Sequence, residues 1–445
     1  MSDGMRRGGR YDTIFYGAYA GNSTFDIRVR FDFKQKLNKK MLQKAANAAL
    51  RWYPELAVTP VIKEGRVVFR QNRAPVCLAP DDGSLRYFGT EGEQGTNGYL
   101  FVFLCGERHL TFSLFHGLTD ARGMINFIIS TLCYYLSYVF PFMRLISTRS
   151  FEKFGVRLSD RIYYTMDDRE RYDPLVKYAA EGKPVDLIDV ERLFRMPAET
   201  FDPADHSCRL LNLELSNREF QAMTKRLKTS YAPLLAAITA EAIASLYDIE
   251  DKTISVVATV DSRKFFDTNS VANMAYNCPL PIEKKDLSLP MEELCKKIKA
   301  DMQLQVTKEN AQKTFSFILG QCDDIDNMGN IVDVNRFLSG PDGLKTLTTN
   351  GTVFLTYPGR VTNNRISQLL LEGVTPGMLA MERAIVVYAH RDSLIVQITQ
   401  KSDDLTLINA LRATLEKHGF SPKFHDMGRI TQNIMDLERL ETVDG

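Results

Sequence analysis

His116 and Asp120 stand in a His-x-x-x-Asp arrangement, within Phe115-His116-Gly117-Leu118-Thr119-Asp120-Ala121. Imidazole titrates near neutral pH and can accept a proton from an attacking hydroxyl, amine or thiol, so His116 fits a general base. The pair also fits a packing histidine beside an unrelated aspartate. A metal site is a third reading, because residues four apart share a helical face. No third His or Cys lies nearby, however, and metal sites take three or four ligands, so no metal is expected.

The flanking elements must hold His116 in place. Leu110, Phe112 and Leu114 alternate with Thr111, Ser113 and Phe115, which is strand spacing. His116 then falls at the strand end, and Gly117 is expected to let the backbone turn tightly there. Tyr99 to Leu104, a turn at Cys105 to Arg108, and His109 to Phe115 read as a hairpin. The following stretch, Met124 to Met143, has no charged residue in twenty positions, long enough to span a bilayer. Asn126, Ser130, Thr131, Ser137 and Pro141 interrupt it, and Tyr134, Tyr135 and Tyr138 lie inside it rather than at its ends. A buried helix is the better reading, with peripheral membrane contact left open.

A chain of 445 residues is too long for one compact core and suits two lobes. Its net charge of +1 gives no electrostatic case for a nucleic-acid partner. Seven dispersed cysteines, with no Cys-x-x-Cys, indicate free thiols in a reducing, cytoplasmic setting. Met1 to Arg10 lacks the apolar run of a signal peptide.

Asp26 to Phe33 alternates Ile27, Val29, Phe31 and Phe33 with charged residues, a strand with one buried face. Asn38 can cap a helix that ends at Pro54. Val67 to Arg70 is a short strand. Ser147 to about His206 is charged and Pro/Gly-punctuated, a crossover between lobes. Beyond it come a strand at Leu211 to Leu215, a Ser216/Glu219 capping box, and an apolar helix from Pro233 to Tyr247. Thr253 to Val260 is β-branched. Pro290 opens another helix, and Gly351 to Leu355 is a strand. A hairpin joins Ala384–Ala389 to Leu394–Thr399, and a last helix stops at Gly419. The tail beyond Asp426 carries no clear signal. The expected division is an N-terminal lobe at 1–146, a crossover at 147–209 and a C-terminal lobe at 210–445.

The order of these pieces resembles the superfamily of chloramphenicol acetyltransferases, peptide-synthetase condensation domains, plant BAHD acyltransferases and bacterial alcohol acyltransferases. Ala49-Leu50-Arg51-Trp52-Tyr53-Pro54-Glu55-Leu56 is similar to its R-x-P-x-L helix end. Phe115 to Ala121 is similar to its H-H-x-x-x-D-G motif. Val260-Asp261-Ser262-Arg263 with Ala272-Asn273-Met274 is similar to its arginine strand and following loop. Thr356-Tyr357-Pro358-Gly359-Arg360-Val361 is similar to the S-N-x-G-R-V segment of the alcohol acyltransferase branch. Phe115 replaces the motif's first histidine, Ala121 its glycine and Thr356 a serine, and D-F-G-W-G is absent. The branch is therefore neither that of the plant enzymes nor that of typical condensation domains.

The resemblance implies an α/β fold of two chloramphenicol acetyltransferase-like lobes, each a mixed β-sheet with helices, meeting at a tunnel. It implies acyl transfer from an acyl thioester, on coenzyme A or a carrier-protein pantetheine, to an alcohol or amine. His116 would be the base, and no acyl-enzyme would form. No bound cofactor is implied, since the thioester is a substrate. Asp120 would pair with Arg263 in a structural role. Thr356 and Asn273 would be candidates for holding the oxyanion, with Tyr357 and Gly359 beside the tunnel. Loop hydroxyls, amides and aromatics serve turns and packing as often. A two-lobe chain supplies both walls of a tunnel, so a monomer is expected. The alternative is a non-catalytic scaffold that binds a carrier protein or lipid.

Overall fold

The computed structural model describes residues 5–20, 25–140, 166–200, 202, 204–338, 351–360, 369–379 and 383–443. Pro141 to Met143 of the apolar stretch, residues 147–165 of the expected crossover, and Val361 lie outside the described residues.

The first half opens with β1 (Met5–Arg7), α1 (Asp12–Tyr19), β2 (Asp26–Phe33) and α2 (Lys39–Leu50). Asn38 caps α2 as expected, its side chain accepting from Met41 N at 3.1 Å. Such a cap is worth about 1 kcal/mol. Then come β3 (Val58–Lys63), β4 (Arg66–Gln71), β5 (Leu78–Pro80), β6 (Phe101–Cys105), β7 (His109–Phe115) and α3 (Ala121–Val139). The expected hairpin is β6–β7, paired antiparallel from Phe101↔Leu114 to Cys105↔Leu110. α3 is buried along most of its length and packs on α2. Trp52, just past α2, donates from Nε1 to Tyr134 Oη of α3 at 2.7 Å. Among the described residues, no single helix is long and apolar enough to cross a membrane.

Short helices α4 (Asp168–Tyr172) and α5 (Pro174–Tyr178) precede β8 (Ser207–Ser216). The second half continues with α6 (Asn217–Arg226), α7 (Tyr231–Leu246), β9 (Thr253–Asp261), α8 (Arg263–Phe266) and β10 (Ala275–Glu283). The capping box is present in part, Glu219 N donating to Ser216 Oγ at 3.3 Å. Next are α9 (Met291–Gln305), α10 (Lys308–Asn327), α11 (Ile331–Leu338), β11 (Val353–Arg360), β12 (Leu371–Leu379), β13 (Ala384–His390) and β14 (Ser393–Gln400). The chain closes with α12 (Thr406–Lys417), β15 (Lys423–Thr431) and β16 (Thr442–Val443). The tail is thus structured: β15 borders β8, and β16 pairs with β3.

Three sheets result. One has the order β12-β2-β7-β6-β5, another β10-β9-β11-β13-β14-β8-β15, and a small one β1-β4-β3-β16. A strand from late in the chain, β12, therefore completes the sheet that carries His116. The first core lies between the five-stranded sheet and α2 and α3, and Ile325, Ile331, Val334 and Leu338 of α10 and α11 join it. The second lies between the seven-stranded sheet and helices including α7, α9 and α12.

The charged face of β2 differs from the expectation of one buried face. Asp26 and Arg28 are both buried. They pair with each other; Asp26 also accepts from Ser113 Oγ at 2.6 Å and Asn433 N at 2.8 Å. Arg28 donates to Thr431 O at 2.9 Å. The returning C-terminal segment covers this face and supplies the partners that buried charge requires.

Candidate functional site

β7 hands the chain to His116 while still tied to its neighbour: His116 N donates to Phe25 O at 2.9 Å, one step beyond the Asp26↔Phe115 pair. The imidazole stacks on Phe15 of α1, with ring centroids 4.7 Å apart and planes 16° apart. Phe25 meets it edge-on at 6.1 Å. His116 is partly exposed, yet its Nδ1 is buried with no hydrogen-bond partner in standard geometry. Burial lowers the imidazole pKa below 6.5; its own backbone, Asp120 and Asn273 oppose this. At neutral pH the ring is uncharged and keeps a lone pair.

Gly117 is needed for a reason other than a positive φ. A β-carbon there would stand 3.0 Å from Phe15 Cβ and run into the Phe115 ring, so α1 approaches too closely for a side chain. Gly123, in the first turn of α3, is similarly closed in: a β-carbon would lie 2.5 Å from Val271 O.

Asp120 caps α3, accepting from Arg122 N and Gly123 N at 3.1 Å each. Its other oxygen accepts from Met274 N at 3.0 Å. Arg263 Nη2 stands 2.9 Å away, and both side chains are almost fully buried. Arg263 also donates through Nε to Ser270 O at 2.6 Å, Nη1 to Asp261 at 3.0 Å and Nη2 to Ala272 O at 2.7 Å. Burial alone would raise the Asp120 pKa, but Arg263 and the backbone N–H donors hold it below 3.8. The structure thus brings together His116, Asp120 and Arg263 from the two halves of the chain.

Asn273 joins them. Its Nδ2 lies 3.0 Å from His116 O, 3.4 Å from Gly117 O and 3.5 Å from Asp12 Oδ1. Both amide hydrogens therefore face acceptors of the protein itself.

Thr356 sits on β11, where Val353 and Leu355 point into the second core. By alternation Thr356 takes the opposite face, and it is partly exposed. Elsewhere on the seven-stranded sheet β12 packs closely, a β-carbon on Gly377 lying 3.4 Å from Gln397 Oε1 of β14. β11 and β9 run in parallel only from Val353↔Val256 to Leu355↔Ala258. Past this point each strand keeps only its outer partner, β13 or β10, and the pair parts at Thr356 and Thr259. Thr259 is exposed in a β9 that is otherwise mostly buried, and its partner Asn277 is the exposed residue on the partly exposed face of the edge strand β10. Tyr357 turns the other way and stacks on Tyr231 of α7, with centroids 5.0 Å apart. Gly359 lies opposite Tyr388, just past an irregularity in the β11–β13 ladder.

A cleft of about 50 Å³ runs along α1, lined by Arg7, Asp12, Tyr16, Arg66 and Asp326 among others; His116 is not part of its wall. Among the described residues, no group of three or more His, Cys, Asp or Glu side chains could hold a metal. Sequence reasoning missed Phe15, Phe25 and Asp12. Their places depend on α1 folding across the end of β7, for which no local motif is a signal.

No protein-family model matches the chain, and no curated protein matches it. Solved structures do. TRI101 of F. sporotrichioides, in complex with coenzyme A and T-2, superposes with a TM-score of 0.60 at 10% identity, over 92% of this chain and 98% of that one. Polyketide synthase associated protein 5 of Mycobacterium tuberculosis gives 0.56 at 15% identity, over 92% and 96%. The epimerization domain from the third module of tyrocidine synthetase B gives 0.55 at 10%, over 93% and 96%. With two large sheets and a core beside each, the chain shares the two-lobed fold of these solved structures.

Proposed function

We propose that the chain is an acyltransferase that moves an acyl group from a thioester to a hydroxyl or amine. One observation carries this reading: His116 is partly exposed at the end of β7, with Nδ1 buried, in surroundings that keep it neutral. In the proposed step the acceptor oxygen or nitrogen attacks the thioester carbonyl as Nε2 takes its proton. The tetrahedral intermediate collapses, the C–S bond breaks, and the imidazolium returns the proton to the leaving thiolate. The Thr356 hydroxyl is the proposed oxyanion donor, because Thr356 is partly exposed where β11 leaves β9. Asp120 and Arg263 hold the loop and touch no substrate.

TRI101, whose structure contains coenzyme A, supports a coenzyme A thioester as donor. Polyketide synthase associated protein 5 and the synthetase domain support a carrier-protein thioester. None of the seven buried cysteines is in a disulfide, which supports a reducing, cytoplasmic setting. A monomer is proposed, since both halves contribute to one site.

The test measures free-thiol release from acyl-coenzyme A thioesters, acetyl to palmitoyl, with pooled alcohols and amines. Release that depends on acceptor and is lost in a folded His116→Ala variant is the expected result. If coenzyme A and carrier-protein thioesters are both inert, the scaffold reading takes over. That reading has one observation in its favour: aromatic packing by Phe15 and Phe25 is also how a buried structural histidine is held.

A further inference from the structure

Two buried polar atoms in the site lack a partner in standard geometry, and they are complementary. One is His116 Nδ1, which can carry a proton; the other is Asn273 Oδ1, which can only accept one. They belong to neighbouring side chains, since Nδ2 of the same amide lies 3.0 Å from His116 O. The amide cannot be turned round, because that would set Oδ1 against the carbonyls of His116 and Gly117 and the carboxyl of Asp12. Asn273 is almost fully buried, so no bulk water competes for Oδ1. The other acceptor within reach of Nδ1–H is the carbonyl of His116 itself, whose second lone pair stays open beside the one that faces Asn273 Nδ2, so the variant must show which of the two holds the tautomer.

The geometry points to Asn273 as the positioning residue of His116: from the second lobe it clamps the His116–Gly117 carbonyls and accepts Nδ1–H, fixing the tautomer whose Nε2 is unprotonated. A base at Nε2 needs that tautomer, whereas free histidine favours the proton on Nε2. The influence of Asn273 on His116 titration, favouring the protonated ring, has the sign of such an acceptor. Asp12 completes the clamp. Burial, with Asp173 beside it, pushes its carboxyl well above 3.8. This inference rests on the proposed role of His116 as base and adds what prepares it.

Long-range ¹H–¹⁵N NMR of the imidazoles tests it on the full chain, without any substrate. The chain has six histidines, and His116→Gln identifies the signal by loss. The expected wild-type His116 is the Nδ1–H tautomer above its pKa. Asn273→Ala should move it toward Nε2–H. Asn273→Asp keeps an acceptor, so it should keep Nδ1–H and raise the pKa. If Asn273→Ala unfolds the chain, Asn273→Asp still decides, because an unchanged pKa there overturns the proposal. An unchanged tautomer in folded Asn273→Ala also overturns it. Thiol release, where present, should fall roughly 10- to 100-fold in Asn273→Ala and recover in part in Asn273→Asp. A tautomer that responds as expected in a chain with no transferase activity would sink the acyltransferase reading while leaving the clamp standing.

Discussion

The two ends of one short loop live in opposite surroundings. At His116 the neighbours are aromatic, one ring nitrogen is buried without a partner, and part of the side chain meets solvent. At Asp120 the partners of both oxygens are backbone N–H groups and a guanidinium, and nothing is exposed to act on a ligand. Both pKa values are lowered, but for different reasons: at His116 burial removes the charge, and at Asp120 donors stabilise it. One end is left unsatisfied; the other is saturated. Linkage separates them further. An imidazole with a lowered pKa contributes its full stability above 6.5 and loses it as pH falls below that value, because the unfolded chain binds the proton first. A carboxylate with a lowered pKa keeps its contribution above 3.8 and loses it as pH falls through the folded value.

The contrast breaks if removing either residue does the same thing. Asp120→Ala should cost about 3–5 kcal/mol of stability, read by urea unfolding, because Arg263 is left charged and buried. His116→Ala should lower thiol release by roughly 10²- to 10⁴-fold, while its stability falls by only about 1 kcal/mol from the lost stacking on Phe15. Replacing both members of the ion pair, Asp120→Leu with Arg263→Met, sharpens the test. Apolar replacement of a buried pair is often neutral. Here it should not restore wild-type stability. The carbonyls of Ser270 and Ala272 and the N–H groups of Gly123 and Met274 would all lose their partners. Recovery of the wild-type urea midpoint would show that the pair, rather than the network around it, carries the loop.

Period-two patterning made β2 and the β6–β7 hairpin legible, and Asn38 and Ser216 marked two helix starts correctly. These signals are local. The fold class came from the order of elements rather than from any one of them. What could not be read from neighbours in sequence was long-range pairing. Neither β12 nor β16 is expected from the local pattern, and β12 lies beside β2 and β16 beside β3. The burial of Asp26 and Arg28 follows from the same cause, since their cover is the returning segment at Thr431 to Asn433. The site divides likewise. His116 and Asp120 announced themselves by spacing. Phe15 and Asp12, both on α1, act on the site only because that helix crosses the end of β7.

The smallest expected effect probes the aromatic end alone. Phe25 meets His116 edge-on and is only partly buried, so Phe25→Ala should cost little stability compared with truncating the fully packed Phe15. Its removal admits water to one edge of the imidazole. Desolvation is the leading cause of the lowered pKa, so the pKa should rise part of the way toward 6.5, since Phe15 still covers the ring face. The acid limb of thiol release should move up by the same amount, because the base is protonated sooner as pH falls. Asp120 keeps its donors in this variant, so the loss of stability below pH 3.8 should stay where it was. A shift in both windows would mean that the loop responds as one unit and that its two ends are not independently set.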